Sequence, residues 1–235
     1  MHAEGVAMCG RYLFDADADL PQLRLIQDYI GQRFGPERAA QLQTGEVFPG
    51  NELPILLTAE ADPFRPAADS LPEPEPEPAD RSRALPAGGD SQLIALPMVW
   101  GFPGFRSSQL LINARQETVA EKPTFCEAFA RRRCVIPTTG FIEWSHDERG
   151  RTVAKYRFNS PETQLLFLAG IYTCVGQELR FVILTTAANA SMAEIHHRQP
   201  VIIPALMIRP WINDPAAADE LRQSSGPELV RSLMQ

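Results

Sequence analysis

Arg133-Cys134-Val135-Ile136-Pro137-Thr138-Thr139-Gly140-Phe141-Ile142-Glu143-Trp144 is the stretch that decides the fold class. Residues 134–137 and 141–144 are two short apolar runs with a polar, glycine-containing step between them. They predict two strands rather than one helix. Downstream, residues 154–158, 165–172 and 179–185 predict three more strands. Residues 191–195 start a short helix, 201–203 form a final strand, and 216–235 form one or two helices. Upstream, 123–133 predicts a helix with Phe125 and Phe129 on one face. Residues 93–100, 53–58 and 9–14 predict strands, and 47–50 a turn. Residues 20–42 predict one or two helices, with Leu23, Ile26 and Ile30 at helical spacing and a break at Gly35-Pro36. Many strands with few crossover helices indicate an α+β single domain: antiparallel or mixed β-sheets forming a barrel-like core, flanked by helices.

The bulk numbers fit that reading. At 235 residues, 44% apolar and 22% charged, the chain is an ordinary globular protein with enough length for a substantial core. It has no apolar run of transmembrane length, which argues against a membrane partner. It has no basic-then-apolar leader. Four cysteines without a CxxC pair and four histidines without an HExxH motif request neither a metal nor a disulfide framework. A reducing cytoplasm is the expected compartment. The net charge is −7, but residues 60–90 hold eight acids against three arginines, so −5 of it belongs to that stretch. A near-neutral remainder leaves room for a basic groove. The same stretch carries Pro72-Glu73-Pro74-Glu75-Pro76-Glu77-Pro78, a composition that cannot offset the entropy of ordering. Residues 59–91 therefore read as a surface insertion, the alternative being a linker between two domains.

Four residues could carry chemistry. Cys9 lies close to the start. If residues 1–8 are a removable extension or leader, it becomes a 1,2-aminothiol. The amine (pKa roughly 7.7–8.0) and the thiol (about 8.5) are then both partly deprotonated near neutrality. Such a group condenses with an aldehyde to an imine and closes to a thiazolidine; otherwise Cys9 is a small buried hydrophobe. Asn113, Glu143 and His196 each interrupt an apolar run. Glu143 is a general acid/base or the partner of a buried arginine. His196 is a catalytic imidazole or a satisfied core histidine. Asn113 is a site amide or a strand terminator.

Several motifs occur in a fixed order: Met8-Cys9-Gly10-Arg11-Tyr12, Val99-Trp100-Gly101-Phe102, Ile112-Asn113-Ala114-Arg115-Gln116-Glu117-Thr118, Gly140-Phe141-Ile142-Glu143-Trp144 and Ile195-His196-His197-Arg198-Gln199-Pro200-Val201. In that order they resemble the SOS-response-associated peptidase (SRAP) family over about residues 8–210, within a domain expected to span 9–235. The resemblance implies a cytoplasmic protein, associated with the nucleoid when on damaged DNA. It also implies binding of single-stranded DNA and a covalent thiazolidine link between the mature N-terminal Cys9 and an abasic-site aldehyde, which protects the lesion. It further implies self-processing that removes residues before Cys9.

The resemblance also implies roles. Asn113 orients the sugar or the N-terminal residue. Glu143 serves as acid/base at the amine and imine. His196 protonates the sugar ring oxygen, and Thr185 matches a further active-site position. Arg11, Arg115 and Arg198 suit phosphate, unless they pair with Glu143 or Glu117. Trp100 offers a stacking face, and Trp144 stacks or fills the core. No cofactor is implied, and a monomer is expected. Departures from the family pattern are Ile142 in place of tyrosine, His197 in place of aspartate, and Gln199 in place of methionine. Two other readings remain: an N-terminal-nucleophile hydrolase of the glutamine amidotransferase kind, and a non-covalent single-stranded-DNA-binding module.

Overall fold

The structure, a computed structural model, describes residues 10–15, 20–65, 92–106 and 109–234. Residues 1–9, Cys9 among them, and residues 66–91 of the expected insertion lie outside the described residues. In chain order, β1 (Arg11–Phe14) leads to α1 (Pro21–Phe34), α2 (Pro36–Gln41), β2 (Gly45–Val47) and β3 (Glu52–Thr58). Then come β4 (Leu93–Trp100), the two-residue strands β5 (Phe102–Pro103) and β6 (Leu110–Leu111), β7 (Asn113–Arg115), α3 (Cys126–Arg131), β8 (Arg133–Thr138), β9 (Gly140–His146) and β10 (Thr152–Asn159). The chain continues through β11 (Leu166–Val175), β12 (Glu178–Ala187), β13 (Arg198–Pro200), α4 (Ile208–Asn213), α5 (Pro215–Arg222) and β14 (Val230–Met234).

Five strands close on themselves in the order β11-β8-β3-β4-β12, because β12 pairs again with β11. Only the β4–β12 contact of this ring is parallel. Its strands are buried almost end to end, with β8 buried at all six positions. Such continuous apolar runs need cover on both faces. Helices α1 and α4 lie against β3, with α1 also on β4 and α4 on β8, while β1 of a second sheet touches β8. That second sheet is antiparallel, in the order β14-β10-β9-β1-β2. Helix α1 ends where Gly35 takes φ +93°, and Pro36 starts α2, as the Gly35-Pro36 break predicts.

Strands β3 and β4 are direct antiparallel neighbours, with Thr58 opposite Leu93. The N–H of Ala59 donates to the carbonyl of Gln92 (2.9 Å). The chain leaves and re-enters the barrel at one point.

Three sequence expectations are corrected. Residues 191–195 form successive turns, not a helix. The Asn189 carbonyl takes both the Met192 and Ala193 N–H groups, and only isolated i→i−4 bonds form, too few to propagate. The strand expected at 201–203 lies instead at Arg198–Pro200, with Ile202 making one isolated bridge to Leu168. Residues 230–234 form a strand where a helix was expected. Tertiary pairing with β10 outweighs the weak periodicity of so short a run.

Candidate functional site

Alternation along β9 sets the first half of the site. Phe141 and Glu143 point to one face, Ile142 and Trp144 to the other. Phe141 stacks on Phe158 in the core (5.4 Å, 11°), so Glu143 shares a core-facing side. The Glu143 residue is 2% exposed and its side chain is engaged, as a buried carboxylate must be. Strand β1 runs antiparallel beside it, with Arg11 opposite Ile142 and Tyr12 opposite Phe141.

On the other face, Arg11 donates to Glu46 Oε1 (2.7 Å). Its guanidinium lies over the rings of Phe48 (4.2 Å) and Trp144 (5.2 Å). Lys155 Nζ donates to both Glu46 oxygens (3.1 and 2.9 Å). Burial alone would raise the Glu46 carboxyl, but the bonds from Lys155 and Arg11 outweigh it, and the pKa is lowered. Glu46, Phe48 and Lys155 were not legible from sequence, since their meeting depends on strand pairing.

The second half gathers on β12. Strand β7 runs parallel to it, placing Asn113 beside Ile183 and Arg115 beside Thr185. Strand β13 runs antiparallel, placing Arg198 opposite Ala187. Arg198 grips both oxygens of Glu117, through NH1 to Oε1 and through NH2 to Oε2 (2.8 Å). Its NH2 also donates to the carbonyl (2.7 Å) and hydroxyl (3.3 Å) oxygens of Thr185. The bond from Arg198 holds the Glu117 carboxyl below its ordinary value, burial notwithstanding. The expected arginine–Glu117 pairing is thus realised at Arg198, while Arg11 pairs with Glu46. Arg115 is exposed.

Trp100 is corrected. It is 0% exposed, packed on Tyr12 (5.1 Å) and stacked against Phe181 (6.3 Å, 9°). Its indole N–H donates to the carbonyl of Ile112 (3.0 Å). No face is open to a base. Its work is internal: it joins β1 to the residue that precedes Asn113. Thr185 is also buried, at 1%. Trp144 is half-buried beneath the Arg11 guanidinium.

His196 follows the turns at 190–195 and is 8% exposed. Its Nδ1 accepts the backbone N–H of Arg198 (3.0 Å). That bond favours the tautomer with the proton on Nε2, while the Arg198 carbonyl, 3.3 Å from the same Nδ1, would accept the proton of the other. The ring stacks on the exposed His197 (4.4 Å, 27°). Burial pushes the His196 pKa down; a contact from Nδ1 to the Arg198 carbonyl opposes this, and His197, His146 and Arg198 add to the lowering. His146 ends β9, three residues beyond Glu143, and its charge is felt at His196. That places the end of β9, on the face opposite Glu143, within electrostatic reach of His196.

Among the described residues, no cluster of three His, Cys, Asp or Glu is placed to hold a metal. No helix among them is long and apolar enough to cross a membrane. A cavity of about 910 Å³ lined by Leu20, Ile26, Leu166, Ile203 and Ile208 includes none of the candidate residues.

Comparison with known proteins gives a consistent result. A family model described as SOS response associated peptidase matches residues 8–232. Abasic site processing protein YoqW of Bacillus subtilis is 33% identical over 130 residues. The match covers 53% of this chain and 54% of that protein, so the chain spans about half the length of that relative. YoaM of the same organism, also named an abasic site processing protein, is 29% identical over 190 residues, covering 77% of this chain and 79% of its own. YedK of Escherichia coli, likewise named, is 28% identical over 168 residues, covering 66% and 75%. A crystal structure of a Bordetella bronchiseptica protein superposes with a TM-score of 0.62 at 19% identity, over 97% of this chain and 100% of that one. A Bacteroides thetaiotaomicron structure gives 0.54 at 24%, over 60% and 70%. Both show the fold alone.

Proposed function

The chain belongs to the SOS-response-associated peptidase family, and from that footing we propose that it captures abasic sites in single-stranded DNA covalently through Cys9. The observation that carries the reading is the pairing in this family frame of a buried carboxylate, Glu143 on β9, with a buried imidazole, His196, that lies within electrostatic reach of the end of the same strand. Strand β1 runs along that strand, with Arg11 opposite the neighbour of Glu143. Two peptide units separate Cys9 from Arg11, about 7 Å at full extension. The names of the relatives support a role at abasic DNA.

The chemistry balances without an outside reagent. The ring-closed deoxyribose opens when the carboxylate of Glu143 takes the proton of its C1 hydroxyl and the ring oxygen takes a proton from Nε2 of the protonated His196, which returns to the neutral imidazole, giving the aldehyde. The α-amine of Cys9 adds to the carbonyl carbon, and loss of water gives the imine. The thiol sulfur then adds to the imine carbon while its proton ends on nitrogen, closing the thiazolidine. Glu143 moves protons at the amine, the carbinolamine and the imine. Asn113 holds the sugar by hydrogen bonding. Arg11, Arg115 and Arg198 approach phosphates, and Trp144 offers a partly open ring to a base. The aminothiol exists only when Cys9 is the first residue, so removal of residues 1–8, by self-processing or otherwise, precedes the reaction.

The test is a denaturing gel. Protein beginning at Cys9, confirmed by intact mass, is mixed with single-stranded DNA holding one abasic site. A heat-stable shifted band is expected, absent for Cys9→Ala and for a form that retains residues 1–8. No band with reversible binding intact would replace the reading with a non-covalent single-strand binder. No DNA binding at all would favour an N-terminal-nucleophile hydrolase.

A further inference from the structure

The segment that follows α5 touches both halves of the site. At one end β14 pairs with β10 over five residues, and β10 pairs with β9, placing Tyr156 opposite Glu143. At the other end residues 225–229 fasten the turn that carries His196. Gln199 is 0% exposed. Its Oε1 accepts the N–H of Asn189 (2.9 Å) and its Nε2 donates to the carbonyl of Ser225 (2.9 Å). Asn189 donates through Nδ2 to the carbonyls of Ser225 (3.2 Å) and Pro227 (2.8 Å). Its Oδ1 accepts from the N–H (3.1 Å) and hydroxyl (2.6 Å) of Ser191. The N–H of Leu229 in turn donates to the Ser191 hydroxyl (3.1 Å). Gly226 fits with φ +70°, and a Cβ there would stand 2.9 Å from Gln199 Nε2. That close approach leaves room for no side chain.

From these contacts we infer that residues 224–234 are a strap that holds the His196 imidazole in register with Glu143, and that Gln199 and Asn189 are positioning residues acting through it. The inference rests on the role given to His196 in the proposed function. The turn at 190–195 has only isolated helical bonds of its own, so side-chain amides and the strap supply the constraint that a helix would otherwise provide. A fully buried amide with both ends bonded is a rigid link, because breaking either end leaves a buried polar group unpaired. The charged groups around His196 are His197 and Arg198 of its own segment, His146 from β9, and Glu117 behind Arg198. The strap itself adds one exposed ion pair to this turn, Arg231 with Glu194 (2.8 Å); Gln199→Met and Asn189→Asp leave both of those side chains in place, so the main effect of loosening is on the exposure of the ring.

Two variants test this. Gln199→Met keeps length and removes both bonds. Asn189→Asp keeps the acceptor that orders the Ser191 turn and removes only the two donations to the strap. It lies at a half-buried position and serves if Gln199→Met does not fold. Two readings are taken on each: titration of the His196 ring by NMR, assigned through His196→Gln, and the rate of crosslinking at saturating DNA. The titration midpoint is expected to move up toward the ordinary histidine value, the rate to fall about tenfold, and DNA affinity to stay the same. A moved midpoint in a protein that never crosslinks would uphold the strap and sink the proposed function. Crosslinking with wild-type rate and midpoint in both variants would overturn the strap and leave the proposed function standing.

Discussion

The backbone N–H of Arg198 donates to Nδ1 of His196 across 3.0 Å, an arrangement in which Nε2 is the nitrogen that carries a proton. Burial keeps the ring neutral by lowering its pKa, so the folded state binds fewer protons there than the unfolded chain does. Stability from this group is complete above the unfolded value of about 6.5 and is lost as pH falls from there through the lowered folded value. Thermal unfolding of the wild type is expected to drop more between pH 7.5 and 5.5 than that of His196→Gln, which has no imidazole to titrate. Parallel pH curves for the two proteins would contradict the buried neutral assignment.

Removing the acid/base groups separates chemistry from binding. Glu143→Gln keeps the shape of the side chain but moves no protons, and His196→Ala removes the Nε2 donor. Each is expected to slow crosslinking by about 10²–10⁴-fold while reversible binding of single-stranded DNA persists. Single-turnover kinetics on denaturing gels give the number. A wild-type rate in Glu143→Gln would take Glu143 out of the reaction.

Arg198 and Arg11 are held by carboxylates in the absence of DNA, at Glu117 and Glu46 respectively. An arginine already neutralised attracts a phosphate less. Glu117→Gln is expected to bind undamaged single-stranded DNA more tightly and with a salt slope steeper by about 0.7, one more phosphate contact. Fluorescence anisotropy across a salt series reads both. Weaker binding would mean that Glu117 aims the guanidinium instead of restraining it.

Arg133 predicts a stability effect remote from the chemistry. It is 4% exposed and donates to four carbonyls: Trp211 (2.6 Å), Phe129 (2.8 Å), Ala130 (2.9 Å) and Ile212 (2.9 Å). These belong to the last turns of α3 and α4, where helix carbonyls lack partners of their own. Arg133→Met is expected to cost on the order of 3 kcal/mol and to lower the melting temperature by roughly 6–12 °C, read by calorimetry. Arg133→Lys should recover only part, because an ammonium cannot reproduce the planar fork.

How far the sequence carried the reading can be traced through particular residues. Local signals sufficed where the local chain decides the outcome. Gly35-Pro36 broke the helix, Phe125 and Phe129 both turned inward, and the apolar runs around Val135 and Phe141 became two successive strands, one in each main sheet. Local signals failed where pairing at a distance decides. Leu233 is a strand residue only because Tyr156 stands across from it, and Glu46 meets Arg11 and Lys155 only because β1 brings β2 and β9 into one sheet. Trp100 shows a different failure. Its place in a motif made it a candidate for contact with DNA, yet burial and the bond to Ile112 give it a scaffolding duty. The polar residues Glu143 and His196 stood out against apolar surroundings and were legible as a pair of candidates. The burial of both, and the bond from Arg198 to the His196 ring, were legible only in three dimensions.

The register that sets Thr58 opposite Leu93 makes the barrel indifferent to what is spliced between them. Closing a loop grows costlier by only about 0.6 kcal/mol for each doubling of its length, and Thr58 and Leu93 are already held opposite each other by a strand ladder. Evolution can lengthen, shorten or recharge that connection without touching the chemistry, and so can an engineer. A fluorescent protein or an affinity handle inserted there would test the proposed capture of abasic DNA from a point remote from residues 224–234.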